Sequence, residues 1–184
     1  MPDLDAGSAM PIRVRDVTPA DAEAVVGILN PIIEARLYTA FAQPFTVDAE
    51  RDYIARFPRR GVWKLAVRQP GGEVVGFQVL EPFGPYTTAF DHVGSLGTYV
   101  ALDQRRQGIA SILFPATIQA AVQQGFEKIF TFVRADNPAA LAVYTRHGFT
   151  VIGTARRHAK IDGAYIDEIL IERALDGFLA PGPE

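Results

Sequence analysis

Cysteine is absent from all 184 residues. That excludes disulfides, a thiol nucleophile and a thiolate zinc site, and it suits a reducing compartment. Histidine is scarce, with three copies, and no paired His/Asp/Glu spacing typical of a metal site occurs, so no metal is expected. No apolar run approaches the ~20 residues of a membrane-spanning helix. The opening MPDLDAGSAM lacks the basic start and apolar stretch of a signal peptide. A cytoplasmic protein without a membrane partner is therefore expected. A basic surplus is missing too. The formal net charge of −3 argues against nucleic acid, whose phosphates need a basic face.

What is present is the make-up of a globular chain. Its length suits one domain with a sizeable core. Residues 1–11 read as a flexible leader, 12–175 as the domain, and 176–184 as a Pro/Gly-rich flexible tail. Ile12-Arg13-Val14-Arg15 alternates like a strand. Thr18-Pro19 opens a helix, as N-cap and first position, with Ala22, Val25, Val26, Ile28 and Leu29 on its buried face. Asn30-Pro31 is expected to disturb that helix. Leu37 to Phe45 reads as a loop carrying Tyr38, Phe41 and Phe45, which either plugs the core or walls a pocket. Thr46 and Glu50 start a second helix, ending before Pro58. Trp63–Arg68 and Val74–Leu80 are strands joined by a Pro-Gly-Gly turn.

The stretch Val93–Ala110, VGSLGTYVALDQRRQGIA, organises the rest. It reads as a strand to Leu102, a polar turn with Arg105, Arg106 and Gln107, and a helix starting after Gly108. A helix start carries unpaired N–H groups and a partial positive charge, so an anion can rest there. Gly108 and Ala110 keep side chains out of its way. A diphosphate cradle and a plain surface turn with two solvated arginines both fit these residues. Neither the dinucleotide fingerprint nor the Walker pattern is matched. The helix then carries Ile109, Ile112, Leu113, Ala116 and Ala120 to a stop at Gly125, with a bend expected at Pro115. Lys128–Val133 is a short strand. Asn137-Pro138 starts a helix that stops at Gly148, and strands at Phe149–Arg156 and Ala164–Arg173 follow.

Arg105-x-x-Gly108-x-Ala110 after a strand resembles the acetyl-CoA motif of the GNAT acetyltransferase superfamily. The second half of that signature is also present: Asn137-x-x-Ala140-x-x-x-Tyr144-x-x-x-Gly148-Phe149. The stretch from Ile28 to Phe57 and the pair Gly76-Phe77 further resemble the phosphinothricin N-acetyltransferase branch. The resemblance implies an α/β protein of the α+β type. Its mixed central sheet would run β-α-α-β-β-β-α-β-α-β-β, with strands Val93–Leu102 and Lys128–Val133 splayed to hold acetyl-CoA. By this resemblance pantetheine bonds the open backbone near Tyr99 and Val100 as an added strand. The diphosphate rests on N–H groups from Arg106 through Gln107, Gly108, Ile109 and Ala110 to Ser111, with Arg105 at the rim. An N–H near Val100 would hold the oxyanion.

Tyr144 resembles the acid that protonates the departing sulfur, a core tyrosine on an amphipathic helix being the alternative. Asn137 reads both as a cofactor contact and as an N-cap. The branch places a glutamate near Ser95, and no carboxylate stands there. Glu81 is the best substitute for a general base, with Asp91, His92 or a water as the others. His147 reads as a cation suited to a helix end. His158 sits with Arg156, Arg157 and Lys160 in a cluster that is either solvated or receives an acceptor carboxylate. The implied activity is acetyl-CoA-dependent N-acetylation, by direct attack, of a primary amine on a small molecule, amino-acid-like or antibiotic-like. A protein N-terminus or lysine is the alternative acceptor. A non-catalytic acetyl-CoA sensor is the alternative of another class, and a homodimer is expected by analogy only.

Overall fold

Alternating strands and two Pro-interrupted amphipathic segments dictate a sheet covered on both faces. The computed structural model describes residues 11–175, so the expected leader, save Pro11, and the tail at 176–184 lie outside them. In chain order the elements are β1 (Ile12–Asp16), α1 (Ala22–Glu34), α2 (Val47–Ala55), β2 (Val62–Arg68), β3 (Val74–Pro82), β4 (Val93–Val100), α3 (Ile109–Gln123), β5 (Lys128–Arg134), α4 (Pro138–Arg146), β6 (Thr150–Ile161) and β7 (Ala164–Ala174). This is the mixed α/β arrangement that the resemblance implied. The sheet order is β1-β2-β3-β4-β5-β7-β6. Only β4 and β5 run parallel, as the α3 crossover requires.

Helices α1 and α2 cover one face, packing Val25, Ile28, Ile32 and Ile54 on Trp63, Leu65 and Phe77. Helices α3 and α4 cover the other, packing Phe114, Ile118 and Tyr144 on Leu80, Leu96, Ile129, Val133 and Ile171. Helix α1 was expected to be disturbed at Asn30-Pro31, yet it runs unbroken to Glu34. Ile28 and Leu29 before the proline and Ile32 and Ile33 after it are all buried. Burying each is worth ~1.5–3 kcal/mol, which outweighs the ~3 kcal/mol that an internal proline costs. Helix α3 also continues through Pro115, with Leu113, Phe114, Thr117 and Ile118 buried.

Thr18 does not open α1 directly. Pro19–Asp21 forms a short 3-10 turn first. Asp21 reaches back to the Thr18 N–H at 2.8 Å and pairs with Arg15 at 2.6 Å, which keeps the first turn tight. Two strand ends also differ from expectation. Strand β4 stops at Val100, because Leu102–Gln104 curls into a 3-10 turn. Strand β6 continues past Arg156 to Ile161, through a bulge between Ala155 and Ala159 where Arg157 takes a positive φ of 52°.

Strands β4 and β5 pair only at Val93↔Lys128 and Gly94↔Ile129, although β4 runs on to Val100 and β5 to Arg134. Beyond Gly94 they diverge, and a V opens at the centre of the sheet.

Candidate active site

The V leaves main-chain groups of β4 unpaired. The Leu96 carbonyl points into the gap, where it accepts from Thr131 Oγ1 at 2.9 Å. Main-chain polar groups alternate sides along a strand, so those of Thr98 and Val100 face the gap as well. A cleft of about 650 Å³ lies against this edge and the start of α3. Tyr99, Val100, Arg105, Arg106, Gly108, Ile109, Ala110, Ser111, Asn137 and Tyr144 all line it. Gln107 does not. Its side chain is turned away to Gln104 and Arg68, both at 3.3 Å.

The turn into α3 has the form of an anion-binding nest. Arg106 has φ 63° and Gly108 φ 77°, and such left-handed residues point successive N–H groups into one concavity. A Cβ built on Gly108 would meet nothing within 4 Å, so the glycine opens on free space. The concavity therefore fits a diphosphate. The Arg105 guanidinium lies 3.8 Å over the Tyr38 ring, at the boundary with a second cavity.

That second cavity, about 290 Å³, occupies the opposite side of the V. Tyr38, Thr98, Tyr99, Asn137, Ala140 and Tyr144 line both spaces, so they mark where the two meet. Tyr144 is buried on α4. Its hydroxyl donates to Thr98 Oγ1 at 3.0 Å and lies 3.5 Å from the Leu96 carbonyl. Gln78, fully buried, donates to the same Thr98 hydroxyl at 3.0 Å and fixes its place. Burial pushes the Tyr144 phenol up to about 12, so it stays protonated across the working pH range. Asn137 is an N-cap, accepting from the Ala140 N–H at 3.2 Å, and it stands at the junction as well.

Side chains build the outer cavity. In register Glu81 lies directly opposite Ser95, so both face the same side of the sheet. A carboxylate therefore stands beside Ser95, on its cross-strand neighbour. Tyr53 donates a short hydrogen bond to Glu81 Oε1. Burial first, and that bond second, push the Tyr53 phenol far up, so it remains a donor. The aromatic loop walls the cavity through Tyr38 and Phe41, while Phe45 packs on the core beneath. Phe41 meets Phe45 edge-on at 5.3 Å and stacks with Tyr99 at 6.4 Å. Asn30 clamps the loop by two bonds of 2.9 Å with the Phe45 main chain. Arg134 holds its other end by donating to the carbonyls of Arg36 and Thr39. It also grips Asp136 with two further bonds, so every donor nitrogen of its buried guanidinium is engaged.

The remaining candidates lie elsewhere. Asp91 sits with Arg60, and the His92 carbonyl accepts the N–H groups of Glu127 and Lys128. Neither residue lines either of the two cavities at the V. His147 stands at the end of α4, as expected, but its ring is taken up by other partners. Its ring stacks on Phe114 at 4.1 Å and bonds Ser111 Oγ at 3.0 Å. Burial, then Arg173 and Arg146, lower its pKa. Arg173 supplies the charge instead, donating to the His147 carbonyl at 2.6 Å. In the basic cluster Arg157 and Lys160 lie over Tyr165, and His158 approaches Glu168 at 3.8 Å.

Sequence reasoning missed Thr98, Arg134, Tyr53 and Glu168. Glu168 had one usable signal, a carboxylate between Ile166 and Leu170 on the same face of a strand.

A model of the Acetyltransferase (GNAT) family matches residues 33–149. The chain is 24% identical to a phosphinothricin N-acetyltransferase of Streptomyces coelicolor, over 89% of this chain and 96% of that one. It is also 24% identical to an L-methionine sulfoximine/L-methionine sulfone acetyltransferase of Pseudomonas aeruginosa, over 91% and 96%. A phosphinothricin acetyltransferase from Sinorhizobium meliloti, solved in complex with AcCoA, superposes with a TM-score of 0.85 at 19% identity, covering 95% of this chain and 94% of that one.

Proposed function

Because this chain belongs to the acetyltransferase (GNAT) family, we propose that it passes acetyl from acetyl-CoA directly to the amine of a small molecule, with Glu81 as base and Tyr144 as acid. Acetyl-CoA supplies an acyl group activated as a thioester. The nest at Arg106–Ser111 and the helix start behind it would hold the diphosphate, with Arg105 at the rim. The open edge of β4 would bond the pantetheine arm as an added strand. These contacts aim the reacting carbonyl at the junction of the two cavities. The Val100 N–H, facing the gap, is placed to stabilise an oxyanion.

An alkylamine is mostly protonated at neutral pH, since its pKa is ~10. Glu81 accepts that proton, and Tyr53 keeps its carboxylate oriented. Tyr144 returns a proton to the leaving sulfur. In solution values, a phenol of ~10 facing a thiol of ~8.5 is about 2 kcal/mol uphill, and the burial that pushes Tyr144 up to about 12 would widen the step if it acted on the phenol alone. The burial that raises the phenol raises the thiolate's basicity too, which narrows the difference. On this reading residues 12–175 form one acetyltransferase domain, working in the cytoplasm on a small-molecule partner. The acidic net charge of −3 supports leaving nucleic acid out. Among the described residues no helix is long and apolar enough to cross a membrane.

The observation that carries the proposal is the Tyr144 hydroxyl, buried where both cavities meet and fixed by Thr98. Thiol release with acetyl-CoA and a panel of amines tests it. Turnover that falls sharply in Tyr144→Phe supports the assignment. Tight coenzyme binding without turnover on any amine would make the protein a sensor instead.

A further inference from the structure

Glu168 is buried to 2% exposure, it lines the outer cavity, and its Oε1 has no hydrogen-bond partner. A carboxylate removed from water is strongly disfavoured unless a cation or donor meets it. The groups around it meet that need only in part. Its cross-strand neighbour Arg134 supplies nearby positive charge but directs its hydrogen bonds to Asp136 and the loop carbonyls, with none to Glu168. His158, on the exposed β6 side, approaches the other oxygen and no closer than 3.8 Å.

Glu81 lines the same cavity from the other flank. Glu81 lies on β3 and Glu168 on β7, with β4 and β5 between them. At ~4.8 Å per strand step, their backbones stand roughly 14 Å apart before the V widens that distance. One nitrogen cannot serve both carboxylates. We infer that Glu168 binds a second positively charged group of the acceptor, so that the preferred substrate is a diamine-like molecule acetylated at one end and held at the other. This inference rests on the acetyl-transfer reading above and narrows it. An acceptor carboxylate at that end would meet Glu168, while the arginine beside it is already held by Asp136 and the loop carbonyls.

Purified full-length protein would be assayed by thiol release with acetyl-CoA and three acceptors of similar length: putrescine, n-butylamine and γ-aminobutyrate. The wild type is expected to favour putrescine over butylamine by about 10–100-fold in kcat/KM, through KM, with γ-aminobutyrate poorest. In Glu168→Gln the putrescine-to-butylamine ratio is expected to fall by at least ~10-fold. Equal use of γ-aminobutyrate and putrescine by the wild type would overturn the inference while leaving the acetyl-transfer reading intact. So would a Glu168→Gln variant that lowers all three acceptors alike. If that variant does not fold, the wild-type order of acceptors decides the matter. Failure to acetylate any amine, with coenzyme bound, overturns both readings together.

Discussion

The two sides of the V are made of different material. The inner cleft is mainly backbone: the unpaired edge of β4, the left-handed Arg106 and Gly108, and the bare N–H groups at the start of α3. The outer cavity is mainly side chain: Glu81, Phe41, Arg134 and Glu168, gathered from β3, β5, β7 and a loop, with Tyr53 of α2 bonded to Glu81. A backbone site binds what every member of a family shares, because it tolerates exchange of most side chains around it. A side-chain site binds what is particular to one protein. Between them stands Tyr144, which belongs to both.

The sharpest test of that division is at the boundary. Tyr144→Phe should lower kcat by ~100–1000-fold while leaving coenzyme affinity within a few-fold, measured by thiol release and calorimetry. Since burial raises the phenol to about 12, the wild-type rate should show no alkaline loss from Tyr144 up to about pH 10, where a free phenol would be half ionised. Next, Glu81→Gln should cost ~100-fold in kcat/KM for the amine and nothing in coenzyme binding. If it weakens coenzyme binding as well, the two sides are not separable.

The converse test is Gly108→Val. A β-branched residue is strained at φ 77°, so the substitution should distort the left-handed turn that shapes the nest. Coenzyme affinity should drop by ~10-fold or more, with acceptor KM at saturating coenzyme little changed. Arg134→Gln should release the aromatic loop and raise acceptor KM by roughly 10-fold, with coenzyme affinity again unmoved.

The smallest effect lies outside both sides and serves as their control. Hydrogen bonding from Arg15, against the cost of burial, lowers the Asp21 carboxyl to about 2. Its unfolded value is ~3.9, so the stabilisation is complete above about pH 4 and is lost as pH falls toward 2. With solvent screening allowed for, it is worth ~1 kcal/mol. Asp21→Asn should therefore lower Tm by about 2–4 °C at neutral pH, and the loss should shrink in acid, with no change in either KM.

The same division explains what was legible in the chain. Backbone sites leave local marks: glycine at a left-handed turn, small residues at a helix start, asparagine and proline at a cap. Gly108, Ala110 and Asn137 were readable for that reason, Tyr144 only through its place in the family signature, and the chain order of the elements followed from periodicity. Glu81 was readable as a carboxylate, but its place opposite Ser95 depends on the register of β3 on β4, which no local pattern states. Arg134 lies 98 residues from Arg36, and Glu168 belongs to the last strand, so their roles arise only when the sheet assembles. Pro31 misled for a related reason. Local propensity speaks for a break there, and two buried aliphatic residues on each side overrule it.

The two-residue pairing of β4 with β5 has a mechanical consequence. It divides the sheet into a leaf of four strands and a leaf of three, joined along main-chain hydrogen bonds by a seam two residues wide. Anything that lies in the gap and bonds to the β4 edge stitches that seam further, so loading should raise the melting temperature and slow deuterium uptake at Thr98 and Val100. In that sense the ligand is also a structural part, lent to the fold for the length of each turnover.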